Sequence, residues 1–547
     1  MFPPMRTAAL FLASENPLRL YVERIFTPDP FQGIYQVNAF DLMLLIPYFL
    51  VLIALAVYSI HRYYLVYTYF RYRRNLPELP PGPLEPLPRV TVQLPLYNEL
   101  YVTERLIEEV CRLDYPRELL EIQVLDDSTD DTVAIARTCV ERLAALGHPI
   151  RYLHRTNREG FKAGALAEGL HQAQGEFIAI FDADFLPPPD FLHRTLPYFH
   201  TPQVGMVQTR WNYINRNYSL LTQIQAILLD GHFTLEHGAR FRSGCFFNFN
   251  GTAGIWRRKA IEEAGGWQHD TLTEDTDLSY RAQLQGWKFL YLPEIECFSE
   301  LPVEINSFKV QQARWAKGLV QVALKLLPTL WRSSVPRRVK IEAFFHLTAN
   351  FSYPLMIALM GLLLPAMIVR FYQGWFQMLY IDLPLLLAAT CSISTFYLVS
   401  QRELFPEDWK RTIKYVPLLM ATGIGLTITN AWAVLGALFG VRSEFVRTPK
   451  YRIESGRDRV FSKLYRHHAH WVALVEILLG CYFAFTVQYA ISNENYGTVP
   501  FLCVFVLGYL GTGLYSLFQE PWGKLVYFFS TRVALLLRPI FKGFQES

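Results

Sequence analysis

Charge is scarce in this chain. Asp, Glu, Lys and Arg make up only 18% of its 547 residues, against about 25% in a typical soluble domain. Neither sign prevails: 52 basic residues meet 48 acidic ones. That balance gives no general attraction for nucleic acid, so the local placement of charge matters more. Cysteine is sparse too. Cys111, Cys139, Cys245, Cys297, Cys391, Cys481 and Cys503 are odd in number and widely spaced. That argues against a disulfide framework or a paired-thiolate zinc site, and for a reducing compartment around the polar part. No internal repeat or low-complexity segment is found. The apolar stretch at residues 8–13 is too short for the core of a cleavable leader. Disorder is excluded by abundance: 40 Phe, 31 Tyr and 11 Trp supply ample surface to bury.

The apolar residues are unevenly spread. A run from about Phe40 to Ile60 is long enough to cross about 30 Å of hydrocarbon. Arg62, Arg71, Arg73 and Arg74 follow it, which places that flank in the cytoplasm and the N-terminus outside. Pro77, Pro80, Pro81, Pro83, Pro86 and Pro88 then make a semi-rigid linker. Further runs occupy about 341–369, 376–399, 413–441, 468–490 and 498–518. Arg402, Lys410 and Arg411 precede the 413–441 run, and a strongly basic stretch, 442–466, follows it. Both flanks belong on the cytoplasmic side, so this run is expected not to cross but to form a re-entrant or interfacial pair of helices broken near Gly423 and Gly425. Five crossings result, with the C-terminus inside.

Residues 89–300 contain no run of spanning length. Short β-branched runs at 89–94, 121–125, 150–154 and 177–181 read as strands. Helical patterns at 103–113, 131–146 and 161–173 separate them. This alternation predicts a mostly parallel α/β sheet, whose ligands bind beyond the carboxyl ends of the strands.

Acidic clusters stand at those ends. Asp126-Asp127 follows the second strand and Asp182-Ala183-Asp184 the fourth. Two carboxylates on one side of an extended backbone suit a hard divalent ion that also binds a diphosphate. Asp130 and Asp131 suit a helix cap. Thr273-Glu274-Asp275 opens another helical pattern, where acidic residues also favour the helix dipole. Gln311, Arg314 and Trp315 share one face of an amphipathic helix. Arginine forks onto phosphate oxygens, and indole offers a flat face to a sugar ring; an interfacial helix anchored by Trp is the plainer alternative.

In this order, Asp127, Asp182-x-Asp184, Asp275 and Gln311-x-x-Arg314-Trp315 resemble the signature of processive family 2 glycosyltransferases: the cellulose, mannan, chitin and hyaluronan synthases. Pro95-Leu96-Tyr97-Asn98-Glu99 resembles the family's nucleotide-binding opening, and Phe161-Lys162-Ala163-Gly164 its Lys-Ala-Gly element. Phe249-Asn250-Gly251-Thr252 resembles the element beside the acceptor. The similarity covers roughly 39–520 and is greatest to the cellulose-synthase-like glucan and mannan synthases.

The resemblance implies a GT-A catalytic domain inserted between helices of an α-helical membrane domain. It places Tyr97, Glu99, Asp126, Asp127 and Lys162 at the nucleotide, and Asp182 and Asp184 at the diphosphate and a Mg²⁺ or Mn²⁺ ion. Asp275, beside Glu274, becomes the general base. Gln311 and Arg314 contact diphosphate, and Trp315 with Phe249, Asn250, Gly251 and Thr252 the acceptor. Phe445-Val446-Arg447-Thr448-Pro449-Lys450 resembles the F-x-V-T-x-K gating loop of bacterial cellulose synthase, with Arg447 in place of Val. Phe445, Arg447, Thr448 and Lys450 are thereby expected over the donor. The tail after the last span is too short for the cyclic-dinucleotide receptor domain of some cellulose synthases.

The expected organisation is an extracytoplasmic segment 1–38, a span 39–61, a linker 62–88 and the catalytic domain 89–302. Interfacial helices 303–335, a membrane region 336–518 with its gating loop 442–466, and a cytoplasmic amphipathic tail 519–547 follow. The implied activity is inverting, processive β-glycosyl transfer from UDP-glucose or GDP-mannose at a plasma or inner membrane. It would build a polysaccharide and pass it across the bilayer, with no nucleic-acid partner and the oligomeric state open. Transfer of one hexose to a lipid is the alternative, since ceramide glucosyltransferases share the Gln-x-x-Arg-Trp element. A transporter or scaffold is disfavoured because every acidic motif is intact.

Overall fold

The computed structural model describes residues 38–372 except 79 and 81, then 379–441, 446–453 and 470–519. The expected N-terminal segment, the C-terminal tail, Phe445 and most of the 442–466 loop lie outside the described residues.

Helix α1 (Ala39–Arg71) opens on Asn38, whose Oδ1 accepts from the Asp41 N–H at 3.0 Å. It runs to Arg71 rather than ending at 61, which shortens the expected linker. Residues 61–71 contain no Pro or Gly to stop it, and Leu65, Thr68 and Tyr69 are buried. Tyr69 Oη also donates to Glu403 Oε2 at 3.0 Å.

The next elements alternate as expected: β1 (Val90–Leu96), α2 (Thr103–Cys111), β2 (Leu120–Asp126), α3 (Thr132–Ala145), β3 (Ile150–His154), α4 (Phe161–Gln172) and β4 (Phe177–Ile180). The sheet then continues through β5 (Val204–Tyr213), α5 (Leu220–Gly231), a π-helical turn (His232–His237), α6 (Gly238–Ser243), β6 (Gly254–Arg257), α7 (Glu274–Leu284) and β7 (Lys288–Ser299). Its order is β3-β2-β1-β4-β6-β5-β7. Neighbours are parallel except β6, which is antiparallel to β4 and β5. Strand alternation sends side chains to two cores. Val90, Val92 and Leu94 pack with Leu106 and Val110 on one face; Ile178 and Ile180 pack with Leu166 and Trp256 on the other. Burying each such side chain contributes about 1.5–3 kcal/mol.

Over the expected interfacial helices 303–335 the chain forms one 28-residue helix, α8 (Ile305–Arg332). One side packs Val322, Leu326 and Leu330 on Tyr280 of α7 and on Ala343 and Leu347 of α9 (Arg337–Thr348). Beyond α9 come α10 (Ser352–Tyr372), α11 (Leu379–Leu404), α12 (Val416–Gly425), α13 (Thr427–Leu438), α14 (His470–Ser492) and α15 (Val499–Gln519). Ala316 and Val320 of α8 pack on Val434 and Ala437 of α13. Lys309 Nζ of α8 donates to Glu476 Oε2 of α14 at 2.6 Å, with both side chains buried. This helix therefore joins the sheet domain to the apolar helices.

Five stretches among the described residues are long and apolar enough to cross a membrane: Ala39–Arg71, Arg337–Arg370, Pro384–Leu404, Trp471–Ser492 and Val499–Gln519. Helices α12 and α13 form a pair bent by 43°. The bend directly follows Gly425, where an added Cβ would overlap Thr512 of α15.

Candidate active site

One cleft opens where the carboxyl ends of the strands meet α8. Tyr97, Glu99, Asp127, Lys162, Asp182 and Asp184 line it from the sheet. Asn250, Gly251, Glu274 and Asp275 form its floor; Gln311, Arg314 and Trp315 face them from α8; Arg447, Thr448 and Lys450 lie across it. Folding thus brings together most of the residues singled out in the sequence.

Asp182 sits just past β4. Its N–H donates to Thr252 Oγ1 at 2.9 Å, and its Oδ1 accepts from Lys162 Nζ at 2.5 Å. Lys162 Nζ also donates to the Gly251 carbonyl at 2.9 Å. Burial works against this ammonium, but Asp182, Glu274 and Asp275 outweigh it and hold Lys162 above its ordinary range. Asp184 Oδ2 accepts from Lys450 Nζ at 2.6 Å and from the Glu300 N–H at 3.2 Å. Arg447 Nη1 lies 3.0 Å from Glu99 Oε2. Burial pushes Glu99 up to about 8, with Arg447 pulling it back. The 446–453 segment is pinned further by the Tyr451 N–H on Glu300 Oε1 at 2.8 Å. It crosses the cleft with two cations held on two carboxylates.

Glu274 and Asp275 form the first turn of α7, where the helix dipole favours their charge. Asp275 Oδ1 accepts the Thr276 N–H at 2.7 Å. Ser279 Oγ donates to the Asp275 carbonyl at 2.6 Å and accepts the Phe249 N–H at 2.8 Å, tying the 249–252 segment to this turn. Gly251 has φ 79°, and an added Cβ would stand 3.0 Å from Asp275 Oδ2. Burial and then the neighbouring Glu274 push Asp275 up to about 7, while Lys162 and Arg314 oppose the rise. A carboxylate poised there can accept a proton near neutral pH. Among the described residues no group of three or more His, Cys, Asp or Glu could hold a metal. Asp182 and Asp184 remain the pair that fits a divalent ion completed by phosphate oxygens, and both already hold ammonium groups in the cleft.

Residues 88–318 match the family described as glycosyltransferase like family 2. Glucomannan 4-β-mannosyltransferase 7 of Arabidopsis thaliana is 34% identical over 456 residues, 78% of this chain and 77% of that protein. The chain belongs to glycosyltransferase family 2, on its cellulose-synthase-like branch. Glucomannan 4-β-mannosyltransferase 2 of Arabidopsis is 47% identical over 255 residues, and enzyme 1 of rice is 44% identical over 269. These two matches cover 46% and 48% of this chain and about half of each relative, 48% and 51%. Among solved structures, a mannosyltransferase from Pyrobaculum calidifontis, in complex with GDP-Man and Mn²⁺, is similar over 72% of this chain and 99% of its own. Its identity is 22% and its TM-score 0.48.

Several residues that the family 2 resemblance assigned to ligands are turned away. Asp126 is fully buried: Oδ1 accepts the Ser128 N–H at 2.9 Å and Oδ2 the Tyr152 hydroxyl at 2.6 Å. It ends β2, so alternation points it opposite to Asp127. Asp127 reaches the cleft, yet Arg155 forks onto its two oxygens at 2.7 and 2.5 Å. Phe249 packs edge-on against Trp256 in the core, and Thr252 is buried behind Asp182. Only Asn250 and Gly251 of that element face the cleft. Asp130 accepts the Thr132 N–H at 3.0 Å, while Asp131, at the N-cap of α3, makes no side-chain cap bond.

Other lining residues escaped the sequence reading. Arg158 lies over the Tyr97 ring, 3.3 Å from its centroid. The signal was present: Arg155 and Arg158 are two cations between the third strand and the Lys-Ala-Gly element. Glu300 follows β7, a strand that the β-branched pattern did not disclose.

Proposed function

We propose that this chain is an inverting, processive β-glycosyltransferase that extends a β-1,4-linked mannan or glucomannan from GDP-mannose and passes the polymer through its own membrane helices. One observation carries the reading. A single cleft holds an elevated carboxylate, Asp275, the paired Asp182 and Asp184, and the Trp315 indole of the helix that joins this cleft to the apolar helices. The mannosyl choice is supported by the names of the relatives; UDP-glucose is the competing donor.

Asp275 takes the proton of the acceptor hydroxyl as its oxygen attacks the anomeric carbon. The nucleoside diphosphate departs from the opposite face, so no covalent enzyme intermediate forms. Arg314, with Gln311, meets the charge developing on the diphosphate, and Lys162 keeps Asp182 oriented. Asp182 and Asp184 would hold a Mg²⁺ or Mn²⁺ ion, which would supply further positive charge to that leaving group. Trp315 stacks on the acceptor sugar. Arg447, Thr448 and Lys450 close over the donor and keep water from the sugar. A lid on that scale favours a polymerase over the alternative, one hexose placed on a lipid.

The donor choice is tested on membranes containing the full chain, with labelled GDP-mannose and UDP-glucose supplied separately. The expected product incorporates mannose and is degraded by an endo-β-1,4-mannanase. Incorporation from UDP-glucose alone would reassign the sugar.

Lys450 Nζ lies 2.6 Å from Asp184 Oδ2. An ion at that carboxylate must displace it, so Lys450→Ala is expected to tighten donor-free Mn²⁺ binding about tenfold, the scale of a lost charged hydrogen bond. Electron paramagnetic resonance titration measures this, and unchanged affinity places the ion elsewhere. Turnover of the same variant should fall.

In the proposed topology the N-terminus is outside, the catalytic domain is cytoplasmic, and the bent 409–438 pair does not cross. Accessibility tags inserted after Lys410 and after Lys463 are expected to report the same, cytoplasmic side. Opposite sides would make the pair a sixth crossing.

A further inference from the structure

The long helix beneath the acceptor side of the cleft changes its winding in one place. Between α5 and α6, residues His232–His237 form a π-helical turn. Such turns add a residue to the helix, cost hydrogen-bond geometry, and recur at functional sites. Here the turn brings His232, Glu236 and His237 against the segment that carries Asn250.

Glu236 Oε2 accepts from His232 Nδ1 at 2.9 Å. Burial opposes the charge on Glu236, but His232 and Arg240 outweigh it and hold the carboxyl well below its ordinary range. His232 Nε2 is the ring nitrogen left for another partner; it stands 3.1 Å from Asn250 Oδ1 and donates to it when both ring nitrogens carry a proton. On the other side His237 Nε2, which donates to the Asn248 carbonyl at 3.1 Å, lies 2.9 Å from Asn250 Nδ2. Asn248 Nδ2 also approaches Asn250 Oδ1, at 3.3 Å. The Asn250 amide is thus gripped between two imidazoles. Its carbonyl faces His232 and Asn248, and an amide N–H remains for the cleft.

We propose that His232, braced by Glu236 on the π-helical turn, is a positioning residue that fixes the Asn250 amide so that its remaining N–H meets a hydroxyl of the acceptor hexose next to Asp275. The inference rests on Asn250 belonging to the acceptor site. Its place supports that: Asn250 lines the cleft and precedes Gly251, the residue packed against the Asp275 carboxylate. The brace continues outward. Arg240 lies 3.5 Å from Glu236 and donates through Nε to Glu342 Oε1 at 3.0 Å, and Glu342 Oε2 bonds His61 Nε2 of α1 at 2.9 Å. The amide is therefore referenced to the apolar helices as well as to the sheet.

Two substitutions separate this role from packing. His232→Gln keeps a polar atom where Nε2 stands, facing Asn250. His232→Asn keeps one where Nδ1 stands, facing Glu236, and removes the contact to Asn250. The full chain is purified in detergent and assayed with saturating GDP-mannose and a β-1,4-manno-oligosaccharide as acceptor. Donor affinity is measured by calorimetry and donor hydrolysis without acceptor. His232→Asn should raise the acceptor KM about tenfold, with donor affinity and hydrolysis unchanged. His232→Gln should recover most of that loss. Equal acceptor KM in both variants, or a parallel loss of donor affinity, overturns the proposal. If the wild type glycosylates only lipid, the processive reading fails. The same comparison with the lipid as acceptor then decides the role of His232.

Discussion

Asp275→Asn is expected to abolish glycosyl transfer, by about a thousandfold, while leaving the donor bound. Loss of a general base typically costs a hundred- to ten-thousandfold, and Asn keeps the size of the side chain and its acceptor for the Thr276 N–H. The half-buried carboxylate stands beside Glu274 and is raised to about 7. A base works only when deprotonated, so kcat/KM of the wild type should fall about tenfold per pH unit below about 7 and level off above it. The residual activity of Asp275→Asn should lack that acid limb. Asp184→Asn behaves differently on this account, because it removes a carboxylate proposed to hold the donor's metal ion; its loss appears in donor affinity itself. Calorimetry with the nucleotide sugar separates the two. Equal loss of donor affinity in both variants would contradict the division of labour between the α7 turn and the Asp182–Asp184 pair.

Trp315→Ala carries the second large effect. The indole lines the cleft from α8, the helix whose other contacts reach α13 and, through Lys309 and Glu476, α14. Stacking of a nucleobase on an aromatic side chain, the analogous contact, is worth roughly 1–3 kcal/mol, about 5- to 150-fold. Polymer synthesis should drop by that factor with nucleotide affinity unchanged, read as labelled product on a sizing gel against donor affinity. A matching loss of nucleotide affinity would place Trp315 at the donor instead.

The parts of this protein that a sequence can disclose are those set by local patterning. Central strands such as β1, VTVQLPL, and β2, LEIQVLD, set Val, Ile and Leu at alternate positions and are buried on both faces, and the acidic pair at the end of β2 follows directly. Strand β5, VGMVQTRWNY, mixes polar and aromatic residues, and β6 has four residues. Neither gives a periodic signal, although both support the cleft. Side-chain direction was the other gap. Asp126 and Asp127 are adjacent letters, yet the pleat buries one against Tyr152 and turns the other to the cleft. In the same way, Phe249 and Thr252 entered the core while Asn250 and Gly251 did not. Partners distant in the chain were illegible altogether: the Arg447–Glu99 and Lys450–Asp184 pairs join residues brought together only by the fold. Helix α1 outlasted its apolar run because aromatic contacts, such as Tyr69 against Gly238, continue where hydrophobicity ends.

The central claim is that this one cleft builds a polymer. It is tested most directly by the size of the product made when purified full chain, with acceptor ends in excess over enzyme, is given a short pulse of labelled GDP-mannose and chased with unlabelled donor. A processive enzyme retains its chain, so the label should move into long mannanase-sensitive polymer while most acceptor ends stay unextended. A product that is always one hexose on a lipid, however long the chase, would contradict the account even with every cleft residue in its assigned place.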